Sequence, residues 1–424
     1  LKSTGAIATY LGVAPLPLLG TAAARPRAVV NRGRTLVVIF LRGGADGLNL
    51  VVPWADPHYR DLRRSIAIDA PGAGEEAALD LDGTFGLHPR LAPLLPWFEN
   101  GHAVAAHAVG YDQNTRSHFE EQDVWETGVV GNTVGHDGWL NRHLVTSDGH
   151  GPVRAVSVGD ALPRILRGEA AAYAIRGLDD LALPRVPGLD RATMTAALEH
   201  AYCSDPAAHR AEATDALADA AAVTLDGISE LQGLADQPYT PDATYPENRL
   251  GGHLREVARL IKADVGLEVA EVELGGWDTH AQQGGAAGQH ANLAGMLATA
   301  TDAFCRDLGD RLDDVVVVTL TDFGRTAAVN GTGGTDHGWA NCMFLAGGAV
   351  ARANAAAAKR GTPRRVVTDW PGLAPDQLHQ GRDLLHTTDF RDVIAELVRV
   401  HLGNPNLEAV LPGHRFREVG LVRA

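Results

Sequence analysis

The sequence predicts an α/β protein, built as a three-layer sandwich around a mainly parallel central sheet. Short β-branched apolar runs recur at 35–41 and 315–320, and each is followed by a Gly-containing turn that carries an Asp. Amphipathic stretches at helical spacing alternate with such runs. Runs that are apolar on both faces suit strands covered by helices on each side, since no position then faces water.

The elements follow in order. Thr35–Leu41 (TLVVIFL) reads as a buried strand and leads into Arg42-Gly43-Gly44-Ala45-Asp46-Gly47. A second run, Ala103–Val109, leads into the loop Asn114-Thr115-Arg116-Ser117-His118. Leu267–Leu274 alternates and ends in Gly275-Gly276-Trp277-Asp278-Thr279-His280, and Val315–Leu320 precedes Thr321-Asp322-Phe323-Gly324-Arg325-Thr326. Met343–Leu345, before Gly347-Gly348, is a further strand candidate. Helices are expected over Leu189–Glu199, Ala207–Ala235, Arg249–Ala263, Asn292–Leu312 and Phe390–Leu402, where Ala and Leu recur with few breakers. The stretch 189–263 reads as a helical insertion on a single domain that spans 31–424.

Composition narrows the function classes. Of 424 residues 45% are hydrophobic and 21% charged, a balance that supports a buried core. A net charge of −15, with the acids spread along the chain, argues against a nucleic-acid binder, which needs a basic face. A small anionic substrate stays compatible, because a few cations in a cleft reverse the local sign. The three cysteines, Cys203, Cys305 and Cys342, have no CxxC spacing and read as small buried residues. No run is long and apolar enough to suggest a transmembrane segment. The mildly apolar Gly5–Leu19 ends in Thr21-Ala22-Ala23-Ala24, a small-residue cleavage pattern, so residues 1–30 are expected to be the remnant of a twin-arginine signal and the protein to be exported to the periplasm or beyond.

In an open α/β sheet, ligands bind outside the carboxyl ends of the strands. Three strand-end turns bearing Asp and a fourth loop bearing Ser-His therefore converge on one crevice. Asp and His without a Cys partner suit a hard or borderline cation: zinc first, then manganese, magnesium or calcium.

The segments FLRGGADGLN, NTRSHFEEQDVWETG, GGWDTH, LTDFGRT and GGTDHGWA, in this order over positions 40 to 340, resemble the alkaline-phosphatase superfamily, and more narrowly an exported bacterial family of unknown function within it. The resemblance implies an alkaline-phosphatase-like fold and a metal-dependent hydrolase. Asp46 resembles the first-strand metal ligand, and Ser117 stands where the superfamily places its nucleophile. Asp278 and His280 resemble the Asp/His pair of the other metal site, although only Thr279 separates them where the pattern has three residues. His337 resembles the last histidine ligand. Asp322 aligns with an Asp-His doublet whose second position is Phe323 here, so the second metal site loses a histidine that His118 could replace. Arg325 and Arg42, at strand ends beside acidic ligands, are candidates to clamp an anion, and Asp336 is an additional candidate ligand.

Other roles exist for these residues. Asp46 and Asp322 could bond turn amides, Ser117 could cap a helix in a capping box with Glu120, and His118 could be a hydrogen-bonded core histidine. His88, His102, His107 and His136 lack a motif and read as structural. The expected function is hydrolysis of a small anionic ester, or of a sulfated or phosphorylated glycan, through a metal-activated Ser117 with Arg325 steadying the equatorial oxygens. The alternative is an inactive relative that binds an anionic envelope glycan or a partner protein, and Phe323 favours it.

Overall fold

A computed structural model describes residues 33–149, 151–178, 226–362 and 364–424. Nine strands form one sheet: β1 (Thr35–Arg42), β2 (Ala103–Gly110), β3 (Ala155–Val158), β4 (Tyr173–Ile175), β5 (Val269–Gly275), β6 (Val315–Thr321), β7 (Asn341–Gly347), β8 (Val366–Val367) and β9 (Thr388–Asp389). Their order is β8-β2-β7-β6-β1-β5-β3-β4, with β9 also paired to β2. Strand β1 lies between β5 and β6 and runs parallel to both, with Leu41 level with Leu274 and with Thr321. Only β7 runs against its neighbours, antiparallel to β2 and β6.

Alternation along β1 builds two cores. Val37, Ile39 and Leu41 face one cluster with the apolar stripes of α3 (Arg249–Lys262) and α4 (Gln289–Leu308). Leu36, Val38 and Phe40 face the other, with α1 (His118–Thr127), α2 (Trp139–Val145), α5 (Gly348–Ala358) and α6 (Phe390–Glu396). Because successive strand side chains point to opposite faces, one run of β-branched residues serves both layers. Each such side chain, fully buried, stabilises the fold by roughly 1.5–3 kcal/mol.

Several boundaries shift from the sequence reading. Helix α4 begins before Asn292 and gives way at Gly309–Asp314 to a tighter turn, and the last helix changes winding after Glu396. Helix α3 falls inside the stretch read as an insertion, yet it packs on the sheet: its side-chain cap from Asn248 to the Gly251 amide starts it, and Leu250, Leu254, Val257 and Ile261 bury against the core. Leu189–Glu199, most of Ala207–Ala235 and Cys203 lie outside the described residues, as do 1–32. Cys305 and Cys342 are buried free thiols. No helix among the described residues is long and apolar enough to cross a membrane.

The parallel register has one consequence for chemistry. The turns after β1, β5 and β6 emerge side by side, and the reversal of β7 brings the loop before it to the same edge. Gly43, at φ +115°, approaches the β5 loop so closely that a Cβ there would sit 2.7 Å from the Asp278 amide nitrogen.

Candidate metal centre

Four side chains from three segments meet at this edge. Asp278 follows β5, His280 lies two residues on, His337 precedes β7, and His118 opens α1. The Oδ1 of Asp278 lies 2.9 Å from His280 Nε2, 3.2 Å from His337 Nε2 and 3.5 Å from His118 Nε2. The Nε2 atoms of His280 and His337 are 3.0 Å apart. Donor atoms of His118, Asp278 and His337 all fall within 4.8 Å of one another, and His280 adds a fourth donor at their edge.

Each imidazole is turned by an acceptor behind it. His118 Nδ1 sits 2.6 Å from Asp322 Oδ2, His280 Nδ1 3.2 Å from Asp336 Oδ1, and His337 Nδ1 2.8 Å from the Arg116 carbonyl oxygen. A proton on each Nδ1 serves these acceptors and leaves every Nε2 as a lone pair directed inward. Three lone pairs and a carboxylate oxygen then converge, an arrangement that repels itself unless protons or a cation lie among them. The Nε2 of His118 is buried without a hydrogen-bond partner. Histidines anchored through the far nitrogen to a carboxylate or carbonyl are the usual outer support of metal ligands. Three imidazoles and one carboxylate suit zinc or a similar borderline ion better than calcium or magnesium, which prefer oxygen.

Electrostatics follow from the contacts. The hydrogen bond to Asp322 raises the His118 pKa above its ordinary value, against burial. Burial lowers that of His337. At Asp278 burial pulls upward, but the bond and charge of Arg325, with His280 and His118, outweigh it and hold the carboxyl below the usual range.

Several residues stand elsewhere than the sequence suggested. Asp322 is fully buried behind His118: its Oδ2 also accepts from Gln122 Nε2 at 3.0 Å and from the Gly43 amide at 3.2 Å. It orients the His118 ring and does not face the cluster. Asp336 stands likewise behind His280. Phe323 fills the expected histidine position with a buried ring packed between His118 and His337, at centroid distances of 4.7 and 4.6 Å.

Arg325 is not an anion clamp. It is 1% exposed, and its guanidinium donates to the carbonyls of Gly43, Gly44, Trp277 and Thr335 and to Asp278. It ties three site loops together, which spends its donors on backbone. Asp46 is not placed with the cluster either. Its Oδ2 accepts from Arg63 and Gln283, both at 2.5 Å, in a wholly buried pair with Arg63. Arg42 turns away to Glu126 and Glu273, each at 2.6 Å.

Ser117 is the residue before α1, half-buried, and its hydroxyl makes no capping bond, so the capping box with Glu120 does not form. The helix start is secured instead by Glu121, whose carboxylate accepts from the amide and hydroxyl of Thr115 and from Tyr111. Gln122, Arg63 and Gln283 were not anticipated. Only Gln122 carried a signal, one helical turn after His118 on the same face.

Comparison with known proteins adds the following. No curated protein matches the chain. Among solved structures it is similar to the alkaline phosphatase from the Antarctic bacterium TAB5, at 10% identity and a TM-score of 0.28 over 75% of this chain and 93% of that one. It is similar to two mutants of TAB5 alkaline phosphatase with magnesium bound, at 9% and 10% identity and TM-scores of 0.28 and 0.29, over 75% and 76% of this chain and 92% and 93% of theirs. The family model described as "Protein of unknown function (DUF1501)" matches residues 33–403, and the chain therefore belongs to that family.

Proposed function

We propose that this protein is a hydrolase of phosphate or sulfate esters, related to the alkaline-phosphatase superfamily, that works with one divalent cation held by His118, His280, His337 and Asp278. The observation that carries the reading is the convergence of three anchored histidines on a single carboxylate oxygen. Bound there, a cation such as zinc supplies positive charge for the oxygen that gains negative charge during ester cleavage. Asp322, Asp336 and the Arg116 carbonyl hold the rings in place. Ser117, adjacent to His118 and with its hydroxyl not spent on a cap, is the candidate nucleophile. Its attack on phosphorus or sulfur would expel the alcohol and leave a seryl ester for water to release. The amides that open α1 offer partial positive charge to the anionic group. The small-residue pattern at 21–24 supports export by the twin-arginine route.

The second reading, a binding protein without turnover, draws on Asp46. With that carboxylate committed to Arg63, the first-strand ligand of a second cation is missing.

The test is metal content followed by turnover. Protein reconstituted with zinc, manganese, iron, magnesium or calcium is expected to retain about one equivalent of one of the transition metals, and His280→Ala to lose it. The holoprotein is then screened with nitrophenyl phosphates and sulfates. Failure to retain any of the five ions sinks the cation site. Retention without turnover on any ester leaves the binding reading.

A further inference from the structure

Along α1 the side chains His118, Gln122 and Glu126 recur at four-residue spacing, on one face of the helix. The first belongs to the cation cluster. The other two, with Asp123, line a cavity of about 710 Å³. It begins roughly one helical turn, about 5 Å, from His118. The volume falls in the range of small-molecule sites, roughly 300–1,000 Å³.

The walls are polar, and most of their charges are already paired. Arg42 meets Glu126 and Glu273, Arg164 meets Asp123 at 2.5 Å, and Arg249 meets Asp160 at 2.5 Å. Pairing cancels much of the field, so the cavity does not attract a compact anion strongly. It keeps the directional groups, however: guanidinium forks and carboxylate lone pairs that match neighbouring hydroxyls. Behind the wall, Glu271 stands two residues before Glu273 on the same face of β5. Its Oε2 accepts from the wall residue Ser157 at 2.8 Å, while its fully buried Oε1 has no partner.

A second observation concerns the mouth. Phe119 is 88% exposed, more than any other large apolar side chain among the described residues. It adjoins His118 and lies one helical turn before the lining residue Asp123, although it is not itself part of the cavity wall. A lone aromatic ring standing in water one turn from a polar cleft offers a flat apolar face.

A neutral, hydroxyl-rich ligand with an apolar ring face meets both requirements. We propose that this cavity is a saccharide subsite, in which neutral sugar rings bind against Phe119 and the paired Arg/carboxylate wall, and present an ester group to the cation cluster. The substrate class is then a phosphate or sulfate ester of an oligosaccharide. The ester half rests on the hydrolase reading above; the saccharide half does not.

The test uses the full metal-loaded chain on an array of neutral and anionic glycans, with affinities of hits measured by calorimetry. At least one neutral oligosaccharide is expected to bind. Phe119→Ala should weaken it about tenfold, the scale of one lost aromatic contact, and Asp123→Asn should weaken it measurably too. Both residues are exposed enough for the variants to fold, and unchanged melting temperature and metal content check this. The metal-free His280→Ala protein should still bind the neutral saccharide, which separates the two readings. A wild-type chain that retains none of the metals yet binds the saccharide would overturn the hydrolase and keep the subsite. Metal binding with no neutral saccharide on the array, or full affinity in both variants, overturns the subsite.

Discussion

Asp322→Asn isolates the role of a residue that stays outside the cluster but turns one of its histidines. In the wild type its carboxylate receives three N–H donors, from His118, Gln122 and Gly43, inside a fully buried site. A hydrogen bond to a charged acceptor contributes about 1.5–3 kcal/mol and a neutral one about 0.5–1.5. Neutralising the acceptor thus costs the alignment of His118 about 1–1.5 kcal/mol, or roughly a factor of 5–12 in cation affinity at 1.4 kcal/mol per decade. The amide also brings an N–H₂ into a site lined only by donors, so one bond is lost as well. Loss of such an outer partner typically weakens metal binding about 10–100-fold, and that is the expected result. Competition against a chromogenic chelator at neutral pH measures it. Asp336→Asn is the control. Its side chain is 51% exposed and its contact to His280 is 3.2 Å, so water can replace it and the loss should stay below about tenfold. An Asp322→Asn affinity within twofold of the wild type, or a larger loss at Asp336, would refute the assignment of Asp322 as the support of His118.

Three further outcomes are expected. Arg63→Met strands the Asp46 carboxylate in the core and should destabilise the fold by about 3–5 kcal/mol in denaturant titration, whereas a loss under about 1 kcal/mol would mean that Asp46 is not a buried charge. Stability should fall on acidification from pH 6.5 toward 4. Burial pushes His88, His107 and His401 down to about 4 and His290 to about 3, so the unfolded chain takes up protons that the fold refuses. Glu271 acts with the opposite slope. Burial pushes its carboxyl up to about 8, so its contribution is complete below about 4.5 and is lost as pH rises to 8; melting curves of Glu271→Gln should lack the decline above pH 6.5. Ser117→Ala should lower ester turnover at least about 100-fold with metal content unchanged; near wild-type turnover would remove Ser117 from the chemistry.

Parts of this architecture are plain in the sequence, and the reasons differ by residue. The runs 35–41 and 315–320 read as buried strands, and the Gly-rich turns after them and after 267–274 belong at one sheet edge. Grouping His280 and His337 with Asp278 came from the family resemblance, since the local pattern around His337 carries no strand-end signal of its own. Strand direction does not reside in local pattern, so the reversal of β7 went unseen. Asp46 was misread because an Asp after a glycine turn looks alike whether it faces a cation or a guanidinium, and Arg63, 17 residues on, carries no motif. Asp322 shows the same ambiguity one layer deeper: a carboxylate that orients a histidine and one that binds the ion share a signature. Arg325 looked like an anion clamp because sequence shows charge at a strand end but not the backbone carbonyls around it.

The reversal of β7 shapes how this site can change. The chain leaves the sheet at Asp322 and re-enters it at Asn341 on the same edge, forming an arch whose feet are held by strands. Near its crest Gly331 and Thr332 are exposed to solvent. Doubling the length of such a loop adds only about 0.6 kcal/mol of closure entropy. Extra residues inserted at the crest would keep the Asp322 foot in register but would displace Asn330 and Thr332, whose side chains both donate to the His280 carbonyl. The arch therefore couples what covers the cluster to what holds the His280 loop, and a change of its length alters both at once.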